Sequence, residues 1–159
     1  MESNLWKTLH CPATKTELAV LAIYGEAVSY PYMKAICQCQ DKQQNILDLG
    51  PLHTHVQEHI DKIINDPNIL LGENASYKTA SLDGDEWQNS KVVAQILKSI
   101  PELPYFHVVL VAFLKGAAET WKCFTSEFAP GGLIDEATLE EKSLAWMPAL
   151  THNAMAMFF

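Results

Sequence analysis

The feature that most constrains the fold is a long series of apolar residues spaced three or four apart in the second half of the chain. The series continues from 106 to 128, and Lys115, Glu119, Lys122 and Ser126 occupy the other side. This period is typical of one face of an α-helix and not of a strand. We predict a helix over about 104–128 whose apolar face consists of Phe106, Val109, Phe113, Ala117, Trp121, Phe124 and Phe128.

The first helix is predicted to open at residues 14–17. Thr14 and Glu17 have the spacing of a capping box, in which each side chain bonds the other residue's free backbone N–H. Residues 18–24 are apolar on every face, which predicts a helix that is buried on all sides or covered by a partner. Pro31 is expected to end or kink this helix because proline has no N–H to donate.

A second helix is predicted between two prolines. Pro51 suits a first helical turn, and residue 66 precedes Pro67, which disfavours helical geometry at 66. Between them, apolar residues recur at helical spacing, and they predict a buried stripe of Leu52, Val56, Ile60, Ile63 and Ile64.

The remaining segments complete a prediction of about five helices. Residues 68–83 are expected to form a loop with one short turn at 68–71, and a third helix is expected from 83 or 85 to about 100. A fifth is expected from 135 to the residue before Pro148. The predicted fold is all-α: a single domain over residues 1–159, in which the other helices surround the helix at 104–128.

The C-terminal stretch 149–159 is unusual because Met155, Met157, Phe158 and Phe159 add apolar bulk where chains are commonly polar. Two interpretations stay open: the tail docks into a groove, or the chain is a fragment of a longer protein.

Charge and composition exclude several partners. The net charge is −8, and all eleven basic residues are lysines. An acidic chain without the planar arginine fork is a poor match for nucleic acid or an anionic membrane. No signal segment is recognisable, so we expect an intracellular protein, in cytoplasm or nucleus, with partly buried free thiols.

One helical motif suggests metal chemistry. His55 and His59 lie four residues apart on one face of the second predicted helix, a spacing that suits one zinc ion, and Glu58 stands where a general base could act on bound water. The order resembles the inverted signature of zinc peptidases. That resemblance implies a distant glutamate as third ligand, which here is Glu136. The absence of arginine and the polar Gln57 between the histidines depart from it.

A second candidate metal site combines Cys37 and Cys39 with His53 and His55. The residue types suit zinc, but a single residue between the cysteines is shorter than the usual spacing. For both motifs the structural alternative is an ordinary polar helix flank or loop without metal.

Four longer segments resemble a known family. Residues 10–19, 47–53, 120–135 and 145–148 are similar to a large, multi-copy family of uncharacterised fungal proteins. The resemblance implies no established activity; its multiple copies suggest descent from mobile elements. It also implies that this chain is shortened after 148.

We therefore expect a non-enzymatic helical module that binds a protein partner or a second copy of itself and needs no cofactor. One alternative is a zinc-dependent hydrolase with His55, His59 and Glu136 as ligands and Glu58 as general base. The other is an inactive remnant of a mobile-element enzyme.

Overall fold

The computed structural model of the chain describes residues 6–8, 10–37 and 45–145, and it confirms the all-α prediction. No strand occurs within these ranges. Within the same ranges, three 3-10 turns and one π turn accompany the α-helices. The α-helices in chain order are α1 Pro12–Tyr24, α2 Tyr30–Cys37, α3 Gly50–Asn65, α4 Asn68–Leu71, α5 Tyr77–Ala80, α6 Ser90–Ser99, α7 Phe106–Phe124, α8 Leu133–Glu136 and α9 Leu139–Leu144.

The first helix begins earlier than predicted. Pro12 lies in its first turn and Cys11 is the N-cap residue, so Thr14 is already inside the helix and the predicted capping box does not form. The side chains of Leu18 and Leu21 are about half exposed, so burial on all sides is also wrong. A capping box does form at the start of α9, where Thr138 and Glu141 bond each other's backbone N–H.

Pro31 does not end the helical run. The chain widens into a π turn at Gly25–Ser29 and continues directly as α2, in which Pro31 is the second residue. Because Pro31 has no N–H, it cannot bond the carbonyl four residues earlier. That carbonyl, of Ala27, accepts a hydrogen bond from the backbone N–H of Leu82 at 2.9 Å instead. The proline thus frees a carbonyl that ties the N-terminal helices to the loop after α5.

Helix α3 agrees with its prediction. It has a proline in its first turn and ends at the C-cap Asp66, directly before Pro67. Val56, Ile60 and Ile63 are fully buried. The apolar residues spaced three and four apart therefore predicted the buried face of α3 correctly.

Helix α7 is the long central helix, but its buried line differs from the predicted stripe. The innermost residues are Phe106, Leu110, Leu114 and Ala118, each four residues after the last. The predicted residues Val109, Phe113 and Trp121 flank this line. Phe124 is 82 % exposed, so its predicted place in the core is wrong.

Hydrogen bonds fix the directions of the helices around α7. The Thr16 hydroxyl donates to the Pro104 carbonyl at 3.2 Å, and the Trp121 indole N–H donates to the Tyr24 hydroxyl at 3.1 Å, so α1 and α7 run parallel. Gln57 in α3 donates to the Thr125 hydroxyl just after α7. The middle of α3 thus lies beside the end of α7.

Several predicted boundaries need correction. The turn predicted at 68–71 is α4, but the expected loop also contains a second short helix, α5, and α6 begins only at Ser90. The fifth predicted helix is divided into α8 and α9. Cys11 and Cys123 are exposed, and only Cys37 is half-buried. The C-terminal stretch 149–159 and Cys39 lie outside the described residues.

No helix in the described ranges is both long enough and apolar enough to cross a membrane.

Candidate functional site

The two histidines of the zinc motif both bond the loop that follows α5. Nε2 of His55 lies 3.1 Å from the Leu82 carbonyl oxygen, and Nε2 of His59 lies 3.1 Å from that of Ala80. Since a carbonyl can only accept, each Nε2 carries a proton and donates it. A metal bound at these two nitrogens would have to replace both hydrogen bonds. The visible role of the pair is to hold residues 80–82 against α3.

The other predicted members of the zinc site lie apart from this pair or at the surface. Glu58 is exposed on α3, and Glu136 is exposed at the end of α8. Within the described part of the chain, no three His, Cys, Asp or Glu residues form a group that could hold a metal ion. The structure does not bring Glu136 to the histidines, and both zinc sites stay predictions.

A cleft with aromatic walls lies between α2, the start of α3 and the end of α7. It has a volume of about 520 Å³, and none of the described residues that line it is charged. Threonine hydroxyls, a histidine and a tyrosine are its polar groups. We call it the aromatic cleft and define it by Tyr32, Leu49, His53, Trp121, Phe124 and Phe128.

His53 stands at the centre of a group of rings in the wall of this cleft. Its ring centroid is 4.6 Å from that of Phe128, edge to face, and 5.9 Å from that of Trp121. Tyr32 packs edge to face on Trp121 at 4.9 Å. Edge-to-face pairs are the favoured geometry of aromatic rings. Together these rings make a rigid apolar wall around one imidazole.

The imidazole of His53 is only partly satisfied. Its Nε2 lies 3.2 Å from the Tyr32 hydroxyl, but Nδ1 is the single buried side-chain nitrogen or oxygen of the described residues that has no hydrogen-bond partner. Burial lowers the pKa of His53 and raises the pKa of Tyr32, so both side chains are held in their neutral forms.

The sequence contained a signal for His53 that the prediction did not use. His53 lies three residues before Val56, which continues the buried stripe of α3 backwards by one step. The polar side chain interrupted an apolar pattern, so the residue was considered only as a possible ligand beside the cysteines. A polar residue on the inner face of a helix is the informative observation.

The outer side of α7 is a second candidate surface. Val108 is 68 % exposed, and Ala112 and Gly116 follow it at steps of four on the same exposed side. A Cβ built on Gly116 would have no atom of the described chain within 4 Å, apart from its own helix. We call Val108, Val111, Ala112, Lys115 and Gly116 the outer face of α7.

Comparisons with known proteins identify no relative. No family model matches the chain, and no significant match was found among curated proteins or among solved structures. The resemblance to fungal proteins therefore stays a prediction, and the function must be argued from the geometry.

Proposed function

We propose that this protein is an association module that pairs with a second copy of itself through the outer face of α7. The observation that carries the proposal is that Val108, Ala112 and Gly116 form an exposed strip of apolar and small residues on the side of α7 away from its buried line. Phe106, Leu110 and Leu114 are buried, whereas Val108 is 68 % exposed across the helix. In the described part of the chain this strip is uncovered, with Lys115 and Glu119 beside it, and exposed apolar residues in a row favour contact with another surface.

The residues of the outer face suit an antiparallel pairing with themselves. In this antiparallel arrangement, Val111 of one copy lies opposite Gly116 of the other, and Ala112 lies opposite the aliphatic part of Lys115. The numbers of two opposed residues then sum to about 227. A valine opposite a glycine lets two helices approach closely. The same pairing places Glu119 opposite Val108 of the second copy and one position from His107, whose ring N–H is a donor for the carboxylate.

The size of this face predicts a weak dimer. Nineteen helical residues form a helix about 28 Å long, and a strip about 10 Å wide covers roughly 300 Å². Stable interfaces bury about 800 Å² on each partner. The net charge of −8 adds repulsion between copies. We therefore expect an equilibrium between monomer and dimer and not a permanent complex.

The experiment is light scattering after size exclusion, with sedimentation equilibrium over a range from about 10 µM to about 1 mM. The wild-type mass should rise with concentration toward that of a dimer. Val108→Glu should remain monomeric throughout, because pairing would bury its carboxylate against the second copy.

Val92→Glu is the matched control. Val92 is a half-exposed valine on α6, so this variant changes the charge equally without touching the outer face of α7. It should associate as the wild type does. A wild type that is monomeric at about 1 mM would overturn the proposal. So would equal loss of association in both variants, since the contact would then not be specific to α7.

A further inference from the structure

We propose that a groove between α1 and α6 binds a medium-chain fatty acid, with the hydrocarbon chain along the groove and the carboxylate at Lys91. The groove has a volume of about 510 Å³, which is in the ordinary range for small-molecule sites. It shares no residue with the outer face of α7, so its binding can be tested apart from self-association. We call it the α1–α6 groove and define it by Lys15, Ala19, Lys91, Val92, Ile96 and Leu103.

Hydrogen bonds at both ends fix α1 and α6 as an antiparallel pair. At one end, the hydroxyl of Thr16, near the start of α1, donates to the carbonyl of Pro104, which follows α6. At the other end, Glu26, in the π turn after α1, accepts hydrogen bonds from Asn89, the residue before α6. The groove therefore follows the ten residues of α6, which are about 15 Å long, and its two ends are distinct.

The floor of the groove is aliphatic and partly open to solvent. Ile96 is buried, and Ala19 and Leu103 are half-buried. Val92 on the rim is 46 % exposed, and no aromatic ring occurs among the described lining residues. Burial of apolar surface is non-directional and needs only contact, so a strip of this kind suits an unbranched hydrocarbon chain.

Two ammonium groups at the groove are free to meet a negative head group. Lys15 and Lys91 are exposed, so a ligand can reach both from solvent. Neither forms an ion pair with a described residue. A positive charge beside an aliphatic floor matches the two parts of an anionic amphiphile, of which a fatty acid is the simplest.

Glu102 determines the orientation of the ligand. It lies in the turn that follows α6, beside Leu103, whereas Lys91 lies in the first turn of α6. Lys15 precedes Thr16 and thus lies toward the Glu102 end. A carboxylate at that end would meet a like charge, and a carboxylate at Lys91 meets an opposite one. The head group is therefore placed at Lys91, with the methyl end toward Leu103.

The test compares decanoate with decylammonium, which have equal chains and opposite charges, by equilibrium dialysis against the full-length protein at about pH 7.5. A simple apolar surface on a chain of net charge −8 favours the cation. The α1–α6 groove should instead bind decanoate at least about threefold more tightly, an effect of the size expected for one exposed ammonium group. This order in the wild type tests the proposal without any substitution.

Two pairs of variants then locate the binding. Lys91→Gln should weaken decanoate binding about twofold to fivefold, the range of one exposed ion pair. Lys15→Gln changes the net charge equally and should weaken it less. Gln95 is exposed on the groove one turn after Lys91, so Gln95→Lys should strengthen decanoate binding and Gln95→Glu should weaken it.

Four outcomes would overturn the proposal. The first is no binding of decanoate at about 1 mM, which would leave the groove to a protein segment. The second is a preference for decylammonium in the wild type. The third is a loss in Lys15→Gln that equals or exceeds the loss in Lys91→Gln, and the fourth is equal binding by Gln95→Lys and Gln95→Glu. All three positions are exposed, so each variant should keep the circular dichroism of the wild type. The wild-type order decides if one variant does not.

Discussion

Three histidines on one helix have three different environments. His53 lines the aromatic cleft, His55 is exposed and bonds the Leu82 carbonyl, and His59 is buried and bonds the Ala80 carbonyl. Burial lowers the pKa of His59 below its ordinary value of 6.5; the Ala80 carbonyl opposes this shift, while Lys62 and His55 add to it. At the scale of the residue, burial favours the neutral form of His53 and His59 by lowering the pKa of each.

The lowered pKa of His59 predicts a loss of stability in mild acid. Because the pKa of His59 is lower in the folded chain, the unfolded chain binds more protons as the pH falls below about 6.5, and the free energy of unfolding decreases. Urea denaturation between about pH 7.5 and pH 5 measures this. His59→Gln keeps a donor for Ala80 and should flatten the pH dependence; an unchanged slope would contradict the prediction.

Some helix limits could be predicted from single residues in the sequence, and others could not. The limits of α3 were predicted because Pro51 and Pro67 act locally. The capping box at Thr14 and Glu17 was predicted from the same pattern that forms one at Thr138. It failed because Pro12 starts the helix two residues earlier; this proline is a local signal of the same kind as Pro51, and the prediction did not use it.

Among the elements, the π turn at Gly25–Ser29 carries the strongest polar anchor between distant segments. The carboxyl group of Glu26 is 3 % exposed, and it accepts hydrogen bonds from the backbone N–H of Asn89 at 3.1 Å and from its side-chain amide at 2.7 Å. These bonds fix the residue before α6 to the first helical run. Such a contact between residues far apart in the chain could not be predicted from local spacing.

Glu26→Ala should therefore destabilise the fold by about 2 kcal/mol or more, because it removes two bonds to a buried carboxyl group and leaves the Asn89 amides without their acceptor. Glu17→Ala is the control, since Glu17 is exposed on the same helical run. Its effect should stay within about 0.5 kcal/mol. Both are measured by urea denaturation, and similar losses in the two variants would show that burial of Glu26 does not matter.

In the whole molecule, α7 lies against α1 on one side and α3 on another, and its buried line supplies the centre of the core. The all-α class and the long helix near 104–128 were predicted because the helical spacing of apolar residues is enough to indicate both. The inner face of α7 was predicted only approximately, because apolar residues cover a wide arc of this helix and more than one line through them has steps of three and four residues. The packing of α1 and α3 selects Leu110 and Leu114 over Phe124.

Alanine substitutions on opposite sides of α7 test this packing. Leu110→Ala should cost about 3 kcal/mol, since Leu110 is fully buried and its removal leaves a cavity. Val108→Ala should change stability by less than about 0.5 kcal/mol when measured at low protein concentration. Guanidinium denaturation gives both values. Equal losses of stability in the two variants would show that Leu110 does not lie on the buried face of α7.

The π turn sets the direction in which the side chains of α2 point around the helix axis. An α-helix advances by about 100° per residue and a π turn takes in one residue more per turn, so winding all the residues of Gly25–Ser29 as a regular α-helix would rotate Tyr32 by nearly that angle around the axis. The tyrosine would leave His53, and the wall of the aromatic cleft would open. One extra residue in a helical turn thus sets the alignment of two side chains that belong to different helices.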